Sequence, residues 1–206
     1  AGVWVAPVRL LRVAGKDVLL VERFDRVHAA DDHWQRRAVV SALTLLELEE
    51  MMAAYASYED LAEIIRHRFR EPGATLRELF RRLVFNVLCG NTDDHARNHA
   101  AFWDGQWLSL TPAYDICPQL RTGQEATQAM KILGENRFSR LSVCVHAAAR
   151  FQLSAAQARE IIDRMLASVR THWHSVCDEA SLGEAQRQAL WERQFLNPFA
   201  LQGYEA

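Results

Sequence analysis

The chain has 206 residues, half of them apolar, which is enough for one substantial domain, or two small ones on a shared core, without covalent staples. Its formal charge is -2 with acids and bases interspersed, which excludes a polybasic protein that wraps nucleic acid through bulk charge. Cys89, Cys117, Cys144 and Cys177 lie far apart with no CxxC pair, so neither a disulfide framework nor a zinc ribbon is expected, and the thiols read as reduced and cytoplasmic.

The start, AGVWVAPVRL, reads neither as a charged leader nor as a targeting helix, and it lacks Met, so a fragment or processed product is expected. No apolar run approaches the roughly 18 residues of a membrane span. VRLLRV and DVLLVERF are rich in Val and Leu and flank AGKD, which predicts a β-hairpin within residues 1–26. From residue 33, HWQRRAVVSALTLLELEEMMAAY and then SYEDLAEIIRHRF show helical spacing with few breakers, and Ser57 is placed to cap the second. EPGAT ends that segment. Thr75 and Glu78 have capping-box spacing, and Leu76, Leu79, Phe80, Leu83, Val87 and Leu88 then follow a helical stripe that Gly90 closes. Ser154 and Gln157 repeat the capping box ahead of AAQAREIIDRMLASVRTHW, and GEAQRQALWERQF predicts a last helix stopped before Pro198. The composite is one mainly α domain with a small β component.

Behind the Gly90 stop, GNTDDHARNHAAFWDGQWLSLTPAYDI is too polar for core and sits at the end of a strongly apolar helix. Asp104-Gly105 between two strand-like runs predicts a two-residue hairpin turn, pairing Trp103 with Gln106, Phe102 with Trp107 and Asn98 with Thr111. That register brings Asn98 and Asp115 close together, with Asp93 on the loop behind. Two oxygen ligands suit a hard cation such as Mg²⁺, completed by phosphate and water. Asp93 is then placed to accept the proton of an attacking hydroxyl. The plain alternative is a polar turn, since Asn and Asp are common in loops for backbone hydrogen bonding alone. His95 and His99 have a zinc-compatible spacing only on a helix, which the Asp-Gly turn opposes. Phe102, Trp103 and Trp107 read as hairpin packing before they read as a stacking platform.

LLVERFDR at 19–26, GNTDDHARNH at 90–99, LTPAYDI at 110–116 and FLNPFALQGY at 195–204 together resemble the HipA family of bacterial serine/threonine kinases, toxins of type II toxin–antitoxin pairs. The resemblance implies the helical C-terminal lobe of a protein-kinase-like fold, with a hairpin and hinge in 1–26, a helical lobe over 34–206 and a catalytic-loop hairpin at 90–116. It implies ATP and Mg²⁺ as cofactors, Asp93 as catalytic acid, His95 as a catalytic-loop histidine, Asn98 and Asp115 as magnesium ligands, and Glu22, Arg23 and Phe24 as the adenine hinge. It further implies a small helix-turn-helix antitoxin as partner, DNA contact through that complex, a protein substrate such as an aminoacyl-tRNA synthetase, and no membrane. Family members also carry a phosphate-holding loop and a lysine before the hinge. Here the glycines form no such cluster, and the two lysines, Lys16 and Lys131, lie elsewhere. The chain alone is therefore expected to transfer phosphate poorly, and a catalytically inactive binding module that engages the antitoxin is the alternative.

Overall fold

The computed structural model describes residues 1–30, 32–120, 123 and 125–204. Strands β1 (Val8–Val13) and β2 (Lys16–Val21) pair antiparallel with Val13 opposite Lys16. Ala14 and Gly15 between them take φ of 50° and 76°, the double left-handed turn that matches strand twist, so the expected hairpin is present. Both of its faces are apolar and exposed: Val8, Leu10, Leu19 and Val21 on one, Val13, Val18 and Leu20 on the other. A lone two-stranded hairpin is marginal in water, and open apolar surface of this kind marks a contact site.

The helix expected across 33–55 does not form. That segment instead gives β3 (Arg26–His28) paired with β4 (Trp34–Arg36), then β5 (Ala38–Ser41), the single-turn α1 (Ala42–Leu45) and a 3-10 turn over Glu50–Tyr55. Val39 and Val40 are β-branched and find a strand partner far along the chain, which overrides the helical spacing. Ser41 then caps α1 by accepting from the Thr44 amide at 3.2 Å, and Glu47 at φ 55° stops the continuation.

Helix α2 (Tyr58–Arg68) starts as expected, with Ser57 Oγ accepting from the Asp60 amide at 3.0 Å. Helix α3 (Pro72–Cys89) begins ahead of the expected cap, because Pro72 is pre-set for a first helical turn. Thr75 and Glu78 therefore make no capping box. Glu78 accepts instead from the Trp4 amide at 3.0 Å and from Arg82 Nε at 3.2 Å.

Strands β6 (Ala100–Trp103) and β7 (Leu108–Leu110) complete a sheet of order β5-β6-β7. Their turn is wider than expected: Trp103 faces Leu108 and Phe102 faces Ser109. Asp104 Oδ1 accepts from the amides of Gln106 and Trp107 at 2.9 and 2.8 Å, which draws both residues into the loop. Asn98 lies in a 3-10 turn (Ala96–Asn98) off the ladder, so its expected pairing with Thr111 gives way to a bond from the Thr111 amide to Ala100 O.

Helix α4 (Leu141–Ala147) precedes α5 (Ala155–Glu179), whose Ser154–Gln157 capping box is complete and which runs past Trp173. Helix α6 (Glu184–Leu190) ends before Trp191, and Pro198 opens α7 (Pro198–Leu201) rather than closing a helix. Helix α3 is the centre of the core: Leu79, Phe80 and Leu83 are fully buried among Leu61, Ile65 and Phe151. Among the described residues no helix is long and apolar enough to cross a membrane.

Candidate functional site

The site is built on the end of α3. Gly90 takes φ 72°, and a Cβ there would lie 2.6 Å from the Gln194 carbonyl oxygen. Two residues earlier the Leu88 carbonyl accepts from the Leu196 amide at 2.8 Å, and the Gly90 carbonyl accepts from the Gln119 amide at 3.0 Å. One glycine thus joins the polar loop to the segment after Asp115 and to the C-terminal strap. Gly90→Ala combines left-handed strain with displacement of that strap, and a loss of about 2 kcal/mol is expected in urea unfolding.

Along the loop, Asp93 is exposed while Asp94 is 2% exposed. The Asp93 carbonyl accepts from the His95 amide at 2.9 Å and from Asn98 Nδ2 at 3.3 Å. That bond uses one donor of the Asn98 side chain, and among the described residues no hydrogen bond to its Oδ1 is found. The His95 carbonyl accepts from the Asn98 amide at 2.9 Å, while the His95 ring is half-buried with Nδ1 lacking a protein partner among the described residues. Asp115 is exposed and sits at φ 56°.

Tyr114 draws the three expected segments together. Its hydroxyl donates to the Arg97 carbonyl at 2.5 Å, next to Asn98, and its ring meets Phe24 at 5.5 Å between centroids. Phe24 also packs edge-on against Phe102 at 5.8 Å. The Glu22 amide is engaged by the Pro7 carbonyl at 2.9 Å, and exposed Arg23 forms a two-pronged pair with Asp25 at 2.7 and 2.8 Å. The Arg23 guanidinium holds the Asp25 carboxyl below its ordinary value. Tyr114 thus links Phe24 to the carbonyl of Arg97, the residue before Asn98, and Asp115 follows it in the chain, whereas the Arg23 side chain turns to Asp25. Phe102 is buried under Phe24 and Arg37 and so packs, but opposite Ser109 rather than across from Trp107, and Trp103 and Trp107 are exposed instead of forming the expected hairpin packing.

Beneath the loop lies a polar network that residue spacing did not reveal. Asp94 lies 3.0 Å from His99 Nε2 through Oδ1 and accepts from the Tyr58 hydroxyl, while Asn86 Oδ1 in α3 accepts from Asn91 Nδ2 at 3.1 Å. Burial raises the Asp94 carboxyl, but His99, Tyr58 and Asn86 together outweigh it and hold the group below its ordinary value. Burial, with Asp94 beside it, pushes the Tyr58 hydroxyl well up. His99 is thereby committed to Asp94, and among the described residues no cluster of His, Cys, Asp and Glu could hold a metal by itself. Arg82, 1% exposed, donates from Nη2 to the Thr111 carbonyl at 2.6 Å and so anchors the run leading to Asp115. The signal for these residues was Arg82 and Asn86 on the apolar stripe of α3, since charged and amide side chains are rarely buried without a purpose.

Comparison with known proteins identifies the family and the fold. The family model of the HipA-like C-terminal domain matches residues 1–173. The serine/threonine-protein kinase toxin HipA of Shewanella oneidensis is 26% identical over 130 residues, 56% of this chain and 30% of that protein. The solved HipA of Shewanella oneidensis, in a complex with HipB and its operator DNA, has a TM-score of 0.77 at 20% identity, covering 97% of this chain and 54% of that one. The proinflammatory kinase CtkA of Helicobacter pylori has a TM-score of 0.60 at 16% identity, covering 92% of this chain and 74% of that one. The fold is accordingly kinase-like, and the chain spans about half the length of the solved HipA. With most of its residues under one family model, the chain belongs to the family of HipA-like C-terminal domains.

Proposed function

We propose that this chain is the C-terminal lobe of a HipA-like serine/threonine protein kinase, which transfers the γ-phosphoryl group of ATP to a protein hydroxyl as the toxin of a toxin–antitoxin pair. The observation that carries this reading is Tyr114, which precedes Asp115 and joins Phe24 of the expected hinge to the Arg97 carbonyl beside Asn98. Asn98 Oδ1 and the exposed Asp115 carboxylate are the oxygen donors that Mg²⁺ favours, with phosphate and water completing the shell. A magnesium ion held there would neutralise charge on the phosphates.

Asp93, on the exposed side of the loop, takes the proton of the attacking hydroxyl. His95 supports it through the two backbone bonds that tie Asp93 to Asn98. At the hinge the Glu22 amide is already engaged by Pro7, so adenine recognition falls to the Glu22 carbonyl and the Phe24 amide, with Arg23 beside them. Neither lysine stands near the hinge residues: Lys16 opens β2 at the far end of its hairpin, and Lys131 pairs with Glu135. Gripping of the phosphates is therefore assigned to further strands, for which the exposed apolar hairpin offers a packing surface.

The cellular setting proposed is cytoplasmic, with a small helix-turn-helix antitoxin that carries the DNA contact, and with an aminoacyl-tRNA synthetase as one class of substrate. The full-length gene product, given γ-labelled ATP, is expected to label Ser or Thr of a protein. Absence of labelling together with nucleotide-independent capture of the antitoxin supports the second reading, an inactive binding module.

A further inference from the structure

Asp93 and Asp94 are neighbours with opposite surroundings: one faces solvent and the other is sealed in the core. Two parts of the fold converge on the Asp94 carboxylate, namely Tyr58 at the start of α2 and His99 at the foot of β6. His99 is itself fixed, since its carbonyl accepts from the Ala42 amide at 2.7 Å. A buried carboxylate held from two sides fixes its own backbone, and the planar peptide before it then has one orientation. That peptide carries the Asp93 carbonyl, which holds Asn98 Nδ2.

We propose that Asp94 is a positioning residue: its buried carboxylate fixes the Asp93–Asp94 peptide, and through that carbonyl it aims Asn98 Oδ1 at the cation. This rests on the reading of Asn98 as a magnesium ligand. Groups that orient a ligand without touching the metal are worth roughly 10- to 100-fold in metal affinity, so the effect is measurable. A network serving stability alone would lower the melting temperature and leave the metal dependence of the folded protein unchanged.

The test uses Asp94→Asn and Tyr58→Phe in this chain, with two readouts. The first is the NMR signal of the Asn98 side-chain amide, which reports its bond to the Asp93 carbonyl and needs no nucleotide. The second is the ratio of ATP affinities with and without Mg²⁺. Asp94→Asn is expected to shift the Asn98 amide signal and to weaken the magnesium-dependent part of binding by roughly 10- to 100-fold, with metal-free ATP affinity unchanged. Tyr58→Phe, which keeps the carboxylate and its contact with His99, is expected to move both readouts in the same direction by less. An Asn98 signal and a metal dependence identical to the unaltered chain in folded Asp94→Asn would overturn the proposal. If Asp94→Asn does not fold, Tyr58→Phe decides by the same criteria. If the unaltered chain binds no Mg²⁺ and ATP, the proposed function fails on that count, while the Asn98 signal still decides whether Asp94 positions it.

Discussion

Replacing Arg82 by methionine is expected to destabilise the chain by about 3–5 kcal/mol, the range for breaking a buried ion pair from one side. The side chain is 1% exposed and serves two partners, Glu78 Oε1 at 3.2 Å and the Thr111 carbonyl at 2.6 Å. Methionine matches much of the volume but leaves both acceptors without that donor in a place water reaches poorly. Lysine is no substitute, because a single ammonium cannot span the fork that ties α3 to the run before Asp115. Urea unfolding of Arg82→Met, Glu78→Gln and the double variant separates the terms. The double variant should recover part of the loss, since no carboxylate is then left facing an apolar side chain; strict additivity would show that the pair is not coupled.

Asp93→Asn should reduce phosphoryl transfer by the full-length gene product by about 10²–10⁴-fold, the span typical of a lost general base. The asparagine keeps size and polarity but cannot take the hydroxyl proton. Asp93 is exposed, and only its carbonyl takes part in the backbone bonds of the loop, so the fold and the Asn98 contact should persist. Labelling from γ-labelled ATP should therefore fall while affinity for ATP with Mg²⁺ changes little. Equal losses in binding and transfer would place Asp93 among the nucleotide contacts instead.

Legibility in the sequence followed the range of the interactions. The β1–β2 hairpin, α2, α3 and α5 could be read because their determinants are local: a Gly15 turn, a Ser57 cap, an apolar stripe, a Ser154 box. The strand β5 could not, because Val39 and Val40 are decided by Phe102 and Ala101, which lie far along the chain. The hairpin register slipped for a side-chain reason, the capture of two amides by Asp104. In the candidate site, the polarity of the loop after Gly90 stood out from sequence, as did Asn98 and Asp115 as oxygen donors. Their support did not: the Tyr58, Asp94, His99 and Arg82 contacts each join segments far apart or invert the usual placement of charge. Tyr114, which unites the site, looked like one more aromatic until its ring and hydroxyl could be followed to Phe24 and Arg97.

The central claim is that this lobe carries a magnesium-dependent nucleotide site, and calorimetric titration with ATP and Mg²⁺ tests it most directly, with Asp115→Ala as control. Asp115 is exposed, and alanine at its φ of 56° costs about 1 kcal/mol, so the variant should still fold and its fold is checked by circular dichroism. The account predicts binding that requires Mg²⁺ and disappears in Asp115→Ala. Binding that survives the substitution, or a folded chain that takes up no ATP with Mg²⁺, would contradict it.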